Sequence, residues 1–154
     1  MLTIETVRNI KRGSRITFWN GIYAILLGIL DFVFMRYLLL MDFRRIEVVW
    51  QVFAKYNPAI AAMYIKMLIL KGVLIITFGV VIVYLSNYIL KKKDRTAWIN
   101  LFIFGLIFWA SLLTIEILNK NPYTIAASFI GWIMFIIGIL LPIRFYMQRE
   151  YEEY

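Results

Sequence analysis

Four apolar runs of 20 or more residues dominate this 154-residue sequence. About 20 apolar residues in an α-helix cross the hydrocarbon core of a bilayer. A water-soluble domain of this length could not bury a composition that is 63% hydrophobic and only 17% charged. The sequence therefore predicts an all-α polytopic membrane protein, a four-transmembrane-helix bundle forming one integral membrane domain over residues 1–154. The predicted spans are about 16–40, 59–90, 96–118 and 123–143, and residues 144–154 form a short tail.

Proline positions and run length predict how these spans begin and end. Pro58 and Pro122 lie at predicted helix starts, where the missing N–H costs nothing, and Pro142 lies where the fourth span ends or kinks. The second span would be roughly 48 Å long, more than a ~30 Å hydrocarbon core requires. We therefore expect it to tilt or to project from one face.

The distribution of Lys and Arg predicts the orientation. One side of the predicted spans has ten of these residues and the other has four, whereas three more lie inside spans. We expect a multi-pass protein of the cell membrane with both termini in the cytoplasm. The ten are Arg8, Lys11, Arg12, Arg15, Lys91, Lys92, Lys93, Arg95, Arg144 and Arg149; the four are Arg44, Arg45, Lys55 and Lys120. Because these cations flank apolar segments, anionic headgroups or topology explain the net charge of +8 better than nucleic acid does.

The connection between the first two spans has an amphipathic pattern. Ile46, Val49, Trp50 and Phe53 share one helical face. The polar residues of the segment are Arg44, Arg45, Glu47, Gln51 and Lys55. This pattern predicts an amphipathic interfacial helix on the outer surface, with Trp50 at headgroup depth. A cap on the bundle and a partner-docking or substrate-gating role remain open for it.

Six of the eight glycines form pairs seven residues apart. Seven residues make two helical turns, so each pair lies on one stripe where a neighbouring helix can approach closely. We expect these stripes to pack within the chain, with a homo-oligomer seam as the alternative. The pairs are Gly21 with Gly28, Gly72 with Gly79, and Gly131 with Gly138.

Five ionisable residues are predicted within the outer half of the spans. Asp31, Arg36, Lys66, Lys71 and Glu116 come from three predicted helices, and a charge near the bilayer centre costs about 2.5–3.5 kcal/mol. By depth, Asp31 matches Lys71, which leaves Glu116 for Arg36 or Lys66. The cluster is either a structural ion pair with snorkelling cations or an outward-opening polar pocket around Asp31. In the second case, Tyr37, Tyr64, Thr114 and Asn119 would complete the polar shell.

Enzymatic chemistry has little support in this sequence. There is no Cys and no His, so thiol chemistry, disulfides and the commonest general base and metal ligand are missing. Two carboxylates among three cations make a poor metal site. We assign no catalytic residue, metal or cofactor.

The order of segments resembles the small four-helix membrane proteins of the DoxX type. The resemblance lies in "RITFWNGIYAILLGILDF", an outer connection ending "KYNPAIAAMY", a long second helix with "LKGVLIITFGVVIV", a basic turn and two closely connected final helices. Members of that group include small subunits of quinone-linked oxidoreductases. The resemblance implies an accessory subunit of a larger membrane complex, with lipids and other subunits as partners. A carrier of a small molecule or lipid is the alternative.

Overall fold

A computed structural model describes residues 4–92 and 94–148. Over these residues the chain forms helices and turns and no strand. The helices are α1 (Ile4–Val33), α2 (Met35–Arg45), α3 (Trp50–Tyr56), α4 (Pro58–Lys92), α5 (Arg95–Leu118), α6 (Pro122–Leu140) and α7 (Ile143–Gln148). Lys93, Arg149 and most of the predicted tail lie outside the described residues.

Four helical segments are long and apolar enough to cross a membrane: Val7–Val33, Pro58–Ile89, Arg95–Leu118 and Pro122–Leu140. These helices confirm two predictions, the all-α membrane fold and the multi-pass character of the protein. Apolar side chains such as Phe104, Ile107 and Ile130 are more than half exposed on these helices, as expected where the surrounding solvent is lipid.

The first helix starts earlier than its apolar run. α1 begins at Ile4 rather than near residue 16, and Ile10, Gly13 and Ser14 are buried against other helices. The predicted span therefore starts inside a longer helix, and the basic segment before residue 16 is helical with one buried face. At its other end, α1 is separated from α2 by Phe34 alone.

Local sequence signals explain several helix ends. The Asp94 carboxylate accepts a hydrogen bond from the Ala97 N–H at 3.2 Å and caps α5. Asn121 accepts from the Tyr123 N–H at 3.2 Å, with Pro122 in the first turn of α6. α6 ends at Leu140, two residues before Pro142, which lies in the turn before α7.

The chain divides into two compact units, residues 1–23 with 79–154 and residues 24–78. In the first unit, α1, the end of α4, α5 and α6 pack together. A Cβ on Gly21 would lie 2.9 Å from the Gly79 carbonyl oxygen, and one on Gly138 would lie 2.7 Å from Thr17 Oγ1. Gly131 lies against the Trp109 indole. These close approaches leave no space for a side chain.

The second unit contains the end of α1, α2, α3 and the first part of α4. A Cβ on Gly28 would lie 2.9 Å from the Gly72 carbonyl oxygen, so α1 and α4 approach closely here too. The predicted interfacial helix is divided: α2 ends at Arg45, a turn follows, and α3 has only 7 residues. Trp50 packs against Phe43 with ring centroids 4.7 Å apart, whereas Ile46 and Val49 are exposed.

Candidate functional site

Asp31 on α1 and Lys71 on α4 form an ion pair in the second unit, with 3.2 Å between Lys71 Nζ and Asp31 Oδ2. Their side chains are 18% and 22% exposed, so the pair is partly shielded. The close contact between Gly28 and Gly72 brings the two helices together one turn before Asp31 on α1 and one residue after Lys71 on α4. The backbone approach therefore positions the two charges.

The other predicted site residues have different surroundings. Arg36 and Lys66, both in the second unit, are exposed, as expected for cations that extend toward headgroups. Glu116 belongs to the first unit and is buried, with 3% of its surface exposed. Thr114 donates to the Ala110 carbonyl in its own helix at 2.8 Å.

A second polar contact links α2 and α4 in this unit. The Tyr64 hydroxyl donates to Asp42 Oδ2 at 3.0 Å, and Arg45 Nη1 lies 3.7 Å from Asp42 Oδ1. Tyr64 therefore binds Asp42, a residue that sequence reasoning missed because it lies outside the predicted spans. Its ring also packs against Phe43, with centroids 5.3 Å apart.

A fully buried polar residue of the first unit, Asn20, is also one that sequence reasoning did not single out as a site. Asn20 is fully buried and donates through Nδ2 to the Gly131 carbonyl at 2.7 Å. Its Oδ1 accepts from Trp109 Nε1 at 3.1 Å. Nearby, the Tyr23 hydroxyl donates to the Ala127 carbonyl at 2.9 Å. We call Asn20, Trp109 and Gly131 the Asn20 network; it joins α1, α5 and α6.

A small cavity of about 10 Å³ lies in the same unit, lined by residues that include Ser14, Thr17, Ser86 and Trp98. Such a volume is on the order of one water molecule, too small for an organic ligand. The Ser14 hydroxyl donates to the Ser86 carbonyl and Thr17 to the Gly13 carbonyl. The Ser86 hydroxyl is buried and makes no hydrogen bond to any residue that the structure describes.

Within residues 4–92 and 94–148, no group of three or more carboxylate, imidazole or thiol side chains is placed to hold a metal ion. The chain matches no known family model, and comparison with curated proteins and with solved structures gives no match either.

Proposed function

We propose that this chain is a non-catalytic subunit of a larger membrane complex, with an accessory or structural role. The observation that supports this most is the Asp31–Lys71 ion pair at 3.2 Å, because the deepest predicted acid already has a partner on a neighbouring helix. The Asn20 network uses its polar groups in the same way. A polar group whose charge and hydrogen bonds are satisfied by other residues of the chain holds the helices in register and does not require a ligand.

The setting of the proposed complex is the cell membrane, with both termini of this chain in the cytoplasm. The Lys and Arg asymmetry of ten against four supports that orientation. The likeness to DoxX-type proteins supports a respiratory or oxidoreductase-linked complex. Exposed apolar faces such as that of Phe104, Ile107 and Phe129 offer area for another membrane subunit, for a second copy of the chain, or for lipid.

Purification from native membranes in a mild detergent, followed by native mass spectrometry, tests this proposal. Recovery in a fixed ratio with other chains is the expected result, and the chemistry of those chains would define the complex. Recovery of this chain alone, without any other subunit across several detergents, would contradict it.

The second candidate is a carrier of a small molecule or lipid that uses the polar cluster around Asp31. The partial exposure of Asp31 and Lys71, 18% and 22%, favours it because a ligand could reach both charges. A carrier would retain a small ligand in the same spectra, and Asp31→Asn would release that ligand while the helical content stays unchanged. Lys55→Gln, which alters an exposed charge on α3, is the control and should retain it.

A further inference from the structure

Six exposed cations of the first unit lie on elements that pack together at one end of that unit. α1 and α5 begin there, whereas α4 and α6 end there. Gly13 lies against Pro142 and the Gly138 carbonyl, Ser14 donates to the Ser86 carbonyl, and Trp98 Nε1 donates to the Ile139 carbonyl at 3.2 Å. We define this surface, the basic end, by six exposed residues: Arg8, Lys11, Arg12, Arg15, Lys92 and Arg144.

Four of these cations form one stripe on α1. Spacings of three and four residues place Arg8, Lys11, Arg12 and Arg15 within about 100° of one another around the helix. All four are exposed, whereas Ile10, Gly13, Ser14 and Thr17 on the opposite face are buried. The buried face fixes the rotation of α1, so the charges must point outward together.

Among the side chains that the structure describes, few negative charges offset this stripe. Asp94 is the only acid at the basic end whose side chain the structure describes, and its carboxylate already caps α5 through the Ala97 N–H. Lys92 is held near the Tyr88 ring, with Nζ 5.1 Å from the centroid. The basic end therefore presents a concentrated positive potential to whatever lies next to it.

We propose that the basic end is a binding surface for anionic phospholipid headgroups. Its cations lie at the ends of helices long enough to span a bilayer, which is the depth of the phosphate layer. Arg and Lys donate charge-assisted hydrogen bonds to phosphate oxygens, and a row of them can contact several oxygens at once. This inference rests on the charge and burial pattern of α1 and does not depend on the chain being a subunit.

Lipid retention by the full-length chain tests the proposal. The protein in a mild neutral detergent is titrated with phosphatidylglycerol or with phosphatidylcholine of the same acyl chains, and bound lipid is counted by native mass spectrometry. We expect phosphatidylglycerol to bind more tightly than phosphatidylcholine. The double substitution Arg12→Gln/Arg15→Gln should weaken phosphatidylglycerol binding about 25-fold, at roughly fivefold per charge removed. The matched control Arg44→Gln/Lys55→Gln removes two exposed cations of the second unit and should change binding less than twofold.

Two further variants separate charge from folding. Arg12→Lys/Arg15→Lys keeps the charge and should retain most of the affinity. Arg8→Gln/Lys11→Gln changes two other residues of the same stripe and should weaken binding as much as Arg12→Gln/Arg15→Gln. If one of these double variants fails to fold, the other still tests the proposal. Three results would each overturn the proposal. They are equal retention of the two lipids, equal losses in the stripe and control variants, and displacement of phosphatidylglycerol by inorganic phosphate at about 10 mM.

Discussion

At the scale of single residues, several polar side chains of the described helices bind partners distant in sequence. Asn20 lies in an apolar run, and its sequence neighbours show only that it shares a stripe with Gly28 and Asp31. Its function in the fold depends on Trp109 and the Gly131 carbonyl, 89 and 111 residues away. In lipid, helices gain little from hydrophobic association, so such hydrogen bonds and close packing decide which helices pair.

Removing the Asn20 amide should destabilise the protein. Asn20→Leu keeps a similar volume but leaves the Trp109 indole N–H buried without its acceptor, and we expect the free energy of unfolding to fall by about 1–2 kcal/mol. Reversible unfolding in mixed micelles, followed by tryptophan fluorescence, measures it.

Asn87→Leu, at an exposed position of α4, makes the same chemical change without losing a buried hydrogen bond and is the control for Asn20→Leu. Equal effects of the two substitutions would show that the Asn20 network contributes no stability of its own. The double variant Trp109→Phe/Asn20→Leu should lose less free energy of unfolding than the sum of the two single losses, because both substitutions remove the same hydrogen bond.

At the scale of elements, two helices end on non-glycine residues in the left-handed region. Glu47 has φ 57° after α2, and the Val48 N–H donates to the Phe43 carbonyl while the Glu47 N–H donates to that of Arg44. This is the Schellman pattern that stops a helix. Lys120 has φ 54° after α5 and donates to the Ile117 carbonyl at 3.0 Å. The tight connection between α5 and α6 depends on that backbone turn together with the Asn121 cap.

Glycine at position 120 should stabilise the protein relative to alanine. Both substitutions remove the same charge, but only glycine adopts a positive φ without steric cost, so we expect Lys120→Gly to exceed Lys120→Ala by about 1 kcal/mol in the free energy of unfolding. The same pair at Lys55, which is helical and exposed, should give the opposite order by a similar amount. Thermal unfolding of the four variants measures this. The same order at both positions would contradict the left-handed assignment at Lys120.

At the scale of the whole molecule, the charge asymmetry predicts how the chain is oriented in the membrane. The chain contains no Cys, so a single introduced cysteine reports one position cleanly. In intact cells, a membrane-impermeant maleimide should not label Arg8→Cys, because the basic flanks of the spans remain in the cytoplasm. Gln51→Cys, exposed on α3, should be labelled under the same conditions.

Permeabilised cells are the control for this topology experiment, and both variants should be labelled in them. Labelling of Arg8→Cys in intact cells at the rate seen for Gln51→Cys would overturn the cytoplasmic placement of the N-terminus. The basic end would then lie on the outer face, which is a separate matter from whether it binds anionic lipid.

The sequence by itself determined the solvent and the class of fold. In a bilayer, the backbone N–H and C=O groups of a long apolar run must bond to each other, which a helix achieves within the run itself. The four helices that could span the membrane therefore follow from composition and length. The helix starts at Pro58 and Pro122 also follow, because proline chemistry acts within a few residues.

Only the tertiary structure decided the partners of Asn20 and Asp42. Depth along the helices matched Asp31 with Lys71, but the choice of Trp109 for Asn20 and of Tyr64 for Asp42 depends on the height and rotation at which separate helices pack. The contacts of Gly13 and Ser14 in α1 likewise depend on segments far along the chain, which hydropathy cannot register. Helix formation is local, whereas the register between helices is set by contacts between side chains far apart in the chain.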